Sequence, residues 1–385
     1  MTGYINKIFV VTISLFLFAC GINEQIAHTD IQQTNGLFTQ AFVDNNQLIV
    51  NTTEEIYLRF EYFQRIDGED KYLGWSVKEK SDEFTINLPC KNINSQYYIK
   101  VRAENEKAFQ DTVFFFYSSN TNYSFLEMHF IDVEQGDAIY IKTPENNNII
   151  IDGGYGTRGN NSTDWQGFGQ PLALNYINEQ NIDHFDYIIE THHHADHYGG
   201  LNDIKNSGNY TWDYDLSNSN TYNYHVGDLI NLKSDVQFRI LSIGYPPAYN
   251  QDNLNNTSIV LKVNYGYADY LLTGDAEGAV QTFMIQNPWS LSADLFKVSH
   301  HGSSSNSTCN STFLDAIFTK YTKIGIISFG TNNSYGHPKA LYRFANDYIF
   351  GTGTPPTSSP YPNHYFNCGT IKTYSDGQAI IVNIE

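Results

Sequence analysis

Hydrophobic and polar residues alternate in short runs over the first third of the chain. The runs QLIVN, IYLRFEYF, EFTINLP, QYYIKVRAEN and DTVFFFY are separated by turns that contain Asn, Asp or Gly. Short strands at regular intervals with turn signals between them are typical of a β-sandwich. The pattern therefore predicts a small all-β domain over residues 36–122, which could act as a spacer or as a docking module.

After Ser124 the pattern changes to apolar strands that alternate with helices. Strands are predicted in NNIIIDGG, FDYIIETH, SIVLKVNYG, ADYLLTGD, ADLFKVSHH and IGIISFG, and helices in PLALNYINEQ, AEGAVQTFMIQ and near STFLDAIFTK. Hairpin-like strand pairs between helices favour two sheets packed face to face with helices outside, and not one doubly wound sheet. Residues 124–385 are therefore predicted to form one α/β domain.

The first twenty residues have the pattern of an export signal. Lys7 precedes the apolar run IFVVTISLFLFA, which is shorter than the roughly 20 residues needed to span a bilayer. LFAC, residues 17–20, resembles the lipobox of bacterial lipoproteins. Residues 1–19 are thus predicted to be a signal peptide, and 20–35 a tether from a lipid on Cys20. We expect a membrane-anchored protein of the bacterial cell envelope outside the cytoplasm, facing the periplasm or on the cell surface. The alternative is an ordinary signal peptide and a soluble exported protein.

Charge and cysteine usage narrow the classes of function. The chain has 41 acidic and 22 basic residues, a formal net charge of -19, which opposes a broad surface for nucleic acid but leaves a local basic channel open. Apart from Cys20, the cysteines are Cys90, Cys309 and Cys368. This odd number is no disulfide framework, there is no CxxC pair for a thiolate metal site, and a bond between Cys309 and Cys368 stays open.

The segment THHHADH, residues 191–197, holds four of the twelve histidines. It follows a predicted strand and precedes a helix, which is where open α/β sheets place their sites. His192 and His194 can point the same way across one residue, while Asp196 and His197 turn back toward a neighbouring point. Because neutral imidazole suits Zn²⁺ and a mixed His/Asp set can hold two metals, the segment predicts a metal site and not a solvated loop.

HHHADH fits the HxHxDH motif of the metallo-β-lactamase-fold hydrolases. Further motifs resemble the hydrolase domain of the ComEC-like competence proteins and the related phosphorylcholine esterases: HFIDVEQGDAIYI (with Glu134 where glycine is commonest), NIIIDGG, the hairpin that ends in YLLTGDAE, LFKVSHHGSSSN and IISFGTNNSYGHP. The resemblance extends from Ser124 to the C-terminus. It implies a metallo-β-lactamase αββα sandwich, preceded here by a sandwich whose later strands resemble immunoglobulin and fibronectin type III domains.

The resemblance also implies a ligand set for two divalent metal ions, Zn²⁺ or Mn²⁺. His192 and His194 would bind the first ion, Asp196 and His197 the second, and Asp275 would bridge both. One or both of His300 and His301 would add a ligand. The alternative role for Asp275 is to cap the helix that begins AEGAV. A further histidine common in this fold has no clear counterpart here, although His225 is available.

Several other residues are assigned around the metals. His337 either contacts the leaving group or caps a helix after Pro338. Asp137 and Asp152 either support ligands or form turns, and Asn256 and Ser303 shape the pocket. Two long segments look like additions that select the substrate. The one with Arg158 and Trp165 is either a mobile lid beside the metals or an inert loop, and Tyr361, His364 and Tyr365 of the other either line the entrance or cover an edge.

The predicted function is metal-dependent hydrolysis in the cell envelope. A hydroxide activated by two metal ions would cleave a phosphodiester, in DNA or in a phosphorylcholine-type head group, or another ester. Asp196, His301 and His337 are the predicted catalytic residues, and Asp196 would orient the hydroxide. The alternatives are a surface binding lipoprotein with an inactive hydrolase scaffold, and a hydrolase of β-lactams or other esters.

Overall fold

In a computed structural model of the chain, the described residues are 37–44, 46–66, 69–77, 80–89, 96–104, 109–117, 124–157, 170–217, 223–244, 253–318, 324–331, 333–345 and 347–384. The predicted signal peptide, the predicted tether and Cys20, the predicted site of the lipid, lie outside these residues. Cys90, Arg158 and Trp165 also lie outside them.

The described residues of the N-terminal region form six strands: β1 Phe38–Asp44, β2 Gln47–Ile66, β3 Glu69–Val77, β4 Ser81–Asn87, β5 Gln96–Glu104 and β6 Phe109–Tyr117. The long strand β2 belongs to two sets of strands. Its first part pairs with β1 and β4, and its later part pairs with β3 and β5, with β6 beyond β5. Alternate side chains such as Leu48, Val50, Leu58 and Phe60 are buried in one core, as the period of two in the sequence predicts.

In the part of the chain from residue 124 onward that the structure describes, fourteen strands follow: β7 Leu126–Phe130, β8 Ile139–Lys142, β9 Asn148–Ile151, β10 His184–Ile189, β11 Thr211–Leu216, β12 Gln237–Ser242, β13 Val260–Tyr265, β14 Ala268–Leu272, β15 Leu295–Lys297, β16 Ile324–Ile327, β17 Tyr348–Gly351, β18 His364–Tyr365, β19 Ile371–Ser375 and β20 Ile380–Ile384. They form two sheets. The first has the order β11-β10-β9-β8-β7-β19-β20, and the second runs from β12 to β18 in chain order.

The two sheets pack face to face, with helices on the outer faces. The helices are α1 Leu172–Asn178, α2 Ala195–Asn206, α3 Gly278–Gln286 and α4 Ser311–Ile317. In β10, Tyr187 and Ile189 enter the core between the sheets, whereas Ile188 packs beneath α1 and α2. The second sheet buries its outer face under α3 and α4. The prediction of an αββα sandwich after an all-β region is therefore confirmed.

The N-terminal strands continue the first sheet of the hydrolase part. Strand β20 pairs antiparallel with β3, and Tyr374, Ala379 and Ile381 of the β19–β20 hairpin are buried in the N-terminal core. The backbone N–H of Asn87 also donates to Asp376 Oδ2 at 2.8 Å in the turn of that hairpin. The C-terminal hairpin thus belongs to both cores.

The structure decides three points that the sequence leaves open. Cys309 and Cys368 are both buried and are not bonded to each other. Among the described residues after Pro338 no α-helix begins, and a short 3-10 helix, Leu341–Phe344, follows instead. His364 and Tyr365 add an edge strand to the second sheet, so they cover an edge. Within the described residues, none of the helices has the length and apolar character needed to cross a membrane.

Candidate metal centre

The histidine cluster lies at one edge of the sandwich, where several strands end. Strand β10 ends at Ile189, and the segment from Glu190 to His194 leads into α2. Strands β14 and β15 lie side by side and parallel, so their carboxyl ends open on the same edge and are followed by Asp275 and by the pair His300–His301. This is the edge at which α/β sheets assemble sites from loops distant in sequence.

The first group of ligand atoms belongs to His192, His194 and Asp275. His192 Nε2 lies 3.0 Å from His194 Nδ1 and 3.8 Å from Asp275 Oδ2. All three residues offer an atom within 4.8 Å of the others. Asp275 is not a helix cap, because α3 begins at Gly278 with Glu277 as its N-cap.

The second group belongs to Asp196, His197 and His301. His301 Nε2 lies 3.4 Å from Asp196 Oδ2, and His197 Nε2 lies 3.4 Å from Asp275 Oδ1. Asp275 therefore turns one oxygen toward His192 and the other toward His197. It lies between the two groups, where the sequence predicts a bridging carboxylate. Asp137, His197 and Asp275 form a third, overlapping group.

The unsatisfied atoms of these groups fit divalent cations. His197 Nε2, His301 Nε2 and Asp275 Oδ1 are buried and make no hydrogen bond to any other described residue. Buried polar atoms without partners are costly unless an ion or water binds them. Imidazole nitrogens with carboxylate oxygens suit Zn²⁺ and also Mn²⁺, so the His/Asp groups could hold such ions.

The side chain of Asp152 holds His197 in place. His197 Nδ1 lies 2.7 Å from Asp152 Oδ2. Thr191 anchors the same carboxylate through its backbone N–H at 2.7 Å and its hydroxyl at 2.6 Å. A carboxylate on Nδ1 keeps the proton there and leaves Nε2 free to bind a metal. Asp152 therefore supports a ligand, which was one of its two predicted roles.

Asp137 has a similar place beside His301. Its Oδ1 lies 3.4 Å from His301 Nδ1 and 2.8 Å from Nζ of the fully buried Lys297. His301 Nδ1 also lies 2.9 Å from the carbonyl oxygen of Ser328. Although burial by itself raises the pKa of Asp137, Lys297 and His301 lower it well below its usual value. These contacts orient His301 Nε2 toward Asp196.

Protons balance the buried carboxylates when no metal is bound. Burial would lower the pKa of His301, but Asp275 and Asp137 raise it to about 10. Burial would also lower the pKa of His197, but Asp275 and Asp152 raise it well above its usual value. In contrast, burial and the neighbouring His197 lower the pKa of His192. Metal binding must therefore displace protons from His197 and His301.

His300 and His301 both face the site because the chain does not continue as a strand there. Strand β15 ends at Lys297, and the two histidines have left-handed φ values of 52° and 51°. The alternation of side chains in a strand, which would send one histidine away, does not apply. His300 Nε2 lies 3.8 Å from Asp275 Oδ2, and its Nδ1 lies 3.3 Å from Glu277 Oε1.

His337 lies beside this pair, on an aromatic wall. Its ring centroid is 5.7 Å from that of His300 and 6.1 Å from that of His301, and Tyr335 stacks on it at 5.4 Å. Burial and the positive charge of His301 lower the pKa of His337 to about 3. His337 is therefore neutral at pH 7, and it caps no α-helix.

Two other histidines lie away from the ligand groups. His193 lies 2.7 Å from Glu190 Oε1 and stacks on Tyr198. The side chain of His225 is 80% exposed and lies beside Asp228. His225 therefore does not supply the histidine that the sequence comparison leaves open.

Sequence reasoning missed three residues that contact the ligands or their supports. Lys297 pairs with Asp137, Glu277 lies beside His300, and Asn255 Nδ2 donates to Glu277 Oε1 at 3.1 Å. The sequence favoured Asn256 at the pocket, one position away from Asn255. The only signal for Glu277 is its place two residues after Asp275 in GDAE. Ser303, also assigned to the pocket, hydrogen-bonds to Ser305.

The two groups of His and Asp residues could hold metal ions, at the edge of a fold that can be compared with known families. Residues 131–308 match the model of the metallo-beta-lactamase superfamily, so this part of the chain is a metallo-beta-lactamase superfamily domain.

Two curated proteins are similar to the chain. The chain is 29% identical over 237 residues to "ComE operon protein 3" of Bacillus subtilis. The aligned region covers 55% of this chain and 29% of that protein. The chain is 28% identical over 183 residues to "Uncharacterized protein YcaI" of Escherichia coli, which covers 47% of this chain and 23% of that protein. The chain thus spans less than a third of the length of either relative.

Proposed function

We propose that the protein is a metal-dependent phosphodiesterase of the ComEC-like group that works in the bacterial cell envelope. The observation that carries this proposal is the pair of ligand groups that share Asp275. One oxygen of Asp275 faces His192 and the other faces His197. The similarity to ComE operon protein 3 supports the choice of group.

Two bound divalent ions, Zn²⁺ or Mn²⁺, would activate a water molecule and neutralise charge on the ester oxygens. His192 and His194 would hold the first ion with Asp275, and Asp196, His197 and His301 would hold the second. Shared binding by Asp275 supports a pair of ions over a single one. Paired sites of this kind suit phosphoryl oxygens better than a neutral amide.

The catalytic roles fall to residues around the open side of the site. Burial raises the pKa of Asp196, but its contact with His301 and the charge of His197 lower it to about 2. Asp196 is therefore ionised at neutral pH and can orient the attacking water. His301 would help to hold the second ion through Nε2, and that ion would neutralise charge on the phosphoryl group. The neutral ring of His337 would donate a hydrogen bond to the leaving oxygen.

The location in the envelope is proposed from the sequence alone. A lipid on Cys20 would anchor the chain to a membrane outside the cytoplasm, with residues 20–35 as a tether. After loss of residues 1–19, which contain Lys7 and no acid, the formal charge is near −20. Such a charge opposes long polyanions, so we propose a small phosphodiester or a short strand as the substrate in preference to long DNA.

The proposal is tested by comparing initial rates on three substrates at one metal concentration. We expect hydrolysis of bis-p-nitrophenyl phosphate, little or no turnover of a chromogenic cephalosporin, and weak, strongly salt-dependent cleavage of single-stranded DNA. Faster turnover of the cephalosporin than of the phosphodiester would refute the assignment. Strong DNA cleavage would retain the phosphodiesterase and change its substrate. Metal binding without turnover of any substrate would favour a binding lipoprotein.

A further inference from the structure

Glu277 is a buried carboxylate surrounded by side chains that donate hydrogen bonds. It is 1% exposed. Its oxygens accept hydrogen bonds from Asn253 Nδ2 at 2.5 Å, Asn306 Nδ2 at 2.7 Å and Asn255 Nδ2 at 3.1 Å. A buried carboxylate is retained only where such donors compensate its loss of water, so this cluster has a fixed geometry.

The donors come from two segments that border the metal centre. Asn253 and Asn255 lie at the turn before β13, and Asn306 lies in the loop that follows His301. Glu277 itself follows Asp275 at the end of β14. The carboxylate therefore joins three loops. It also accepts a hydrogen bond from the hydroxyl of Ser305 at 3.5 Å, and His300 Nδ1 lies 3.3 Å from its Oε1.

His300 differs in exposure from three of the four histidines of the ligand groups. Its side chain is 19% exposed, whereas those of His192, His197 and His301 are 0% to 1% exposed. His194, the fourth, is also only partly buried. It belongs to none of the groups whose atoms lie within 4.8 Å of one another. Yet its Nε2 is only 3.8 Å from Asp275 Oδ2. His300 Nε2 therefore lies beside the ligands, on the side that solvent reaches.

We propose that Glu277 is a positioning residue that holds His300 by Nδ1, so that Nε2 contacts the phosphoryl group of the substrate. The role of His300 rests on the proposed hydrolysis of a phosphodiester. A carboxylate beside Nδ1 fixes the orientation of the imidazole ring. The N–H or the lone pair at Nε2 then points in one direction. Glu277 would thus affect turnover through His300, and not through the metal ligands.

A double-mutant cycle with His300→Ala and Glu277→Gln tests this inference. Four proteins are loaded with Zn²⁺: the wild-type protein, both single variants and the double variant. Each is assayed for its metal content and for kcat and KM on bis-p-nitrophenyl phosphate. Calorimetry then measures the affinity of each for inorganic phosphate. We expect all four proteins to keep two equivalents of metal. Each single variant should lose about 10- to 100-fold in kcat/KM, as typical of residues that orient an active-site group, and the double variant should lose no more than His300→Ala alone.

Several outcomes would overturn the inference. Losses that multiply in the double variant would show that Glu277 does not act through His300. A loss of metal in Glu277→Gln would make Glu277 a support of the ligands. If the wild-type protein hydrolyses no phosphodiester, the proposed function fails, but the cycle in phosphate affinity still decides whether the two residues act together. If Glu277→Gln does not fold, Glu277→Asp keeps the charge and withdraws the oxygen from Nδ1, and it should show the same non-additive loss.

Discussion

Replacing Asp152 with Asn should weaken one metal position and spare the other. Three donors converge on the carboxylate of Asp152: the N–H and hydroxyl of Thr191 and Nδ1 of His197. An amide can accept at only one of its two ends. If Oδ1 keeps the backbone N–H of Thr191, the NH₂ group faces His197 Nδ1. That nitrogen must then become an acceptor, which places the proton on Nε2, where the metal should bind.

The expected size follows from the lost support. Removing a group that fixes the orientation of a metal-bound histidine typically lowers metal affinity by about 10- to 100-fold, or about 1.4 to 2.8 kcal/mol. The loss should fall on the position formed by Asp196, His197 and His301. The position of His192 and His194 should keep its affinity, because Asp152 contacts neither residue in the described structure.

A competition titration against a chromophoric chelator measures both affinities, and circular dichroism checks the fold. The chain offers a matched control in Glu190→Gln, because Glu190 also lies 2.7 Å from a histidine, His193, which belongs to neither ligand group. The control should bind metal like the wild-type protein. Unchanged binding at both positions in Asp152→Asn, or an equal loss at both, would refute this reasoning.

Four further predictions concern the anchor, the protons, the shared core and the leaving group. Cys20→Ser should remain unprocessed and without lipid, whereas the wild-type protein partitions with membranes; wild-type protein found only in the soluble exported fraction would contradict this. Because the pKa of His301 is about 10 and that of His197 is raised, both side chains are protonated at pH 7, so Zn²⁺ should release about two protons on binding and should bind more tightly as the pH rises. Calorimetry in buffers of different ionisation enthalpy measures the number of protons released. A Zn²⁺ affinity that does not change with pH would contradict this prediction. Ile381→Ala should lower the free energy of unfolding by about 2–5 kcal/mol, since Ile381 is buried in the N-terminal core. The N-terminal strands and the hydrolase sandwich should still unfold together, in one transition at a lower temperature. Separate transitions in a thermal melt would disprove the shared core. His337→Gln should keep both metals and lower kcat most for substrates with poor leaving groups; an equal loss for all leaving groups would argue against its role.

The sequence predicts the architecture well because its signals are local. Strand β10 carries the continuous apolar run Tyr187–Ile189, which is typical of a strand buried on both faces and is readable in a short window. Tyr187 and Ile189 do face one core, and Ile188 faces the other. The HxHxDH segment is equally local, since His192 to His197 span six positions. The pairing of β20 with β3 has no such signal, because it joins strands some 300 positions apart whose patterns do not specify a partner.

The surroundings of the metal site are harder to predict for the same reason. Glu277 and Lys297 look like ordinary charged residues until the fold buries them among partners from other loops. The sequence pattern predicts that His300 and His301 are neighbours on a strand, but a left-handed turn brings both to the site. The choice between Asn255 and Asn256 depends on the short 3-10 turn before β13, which shifts the inward side chain by one position.

The central claim is that paired metals at Asp275 make this protein a phosphodiesterase. The most direct measurement removes all metal by chelation and restores Zn²⁺ or Mn²⁺ stepwise, while metal content and hydrolysis of bis-p-nitrophenyl phosphate are followed together. The account predicts no activity without metal, full activity near two equivalents, and no recovery at any metal concentration in Asp275→Asn or His192→Ala, although both variants stay folded. Full activity after exhaustive chelation, or full activity of Asp275→Asn, would contradict it.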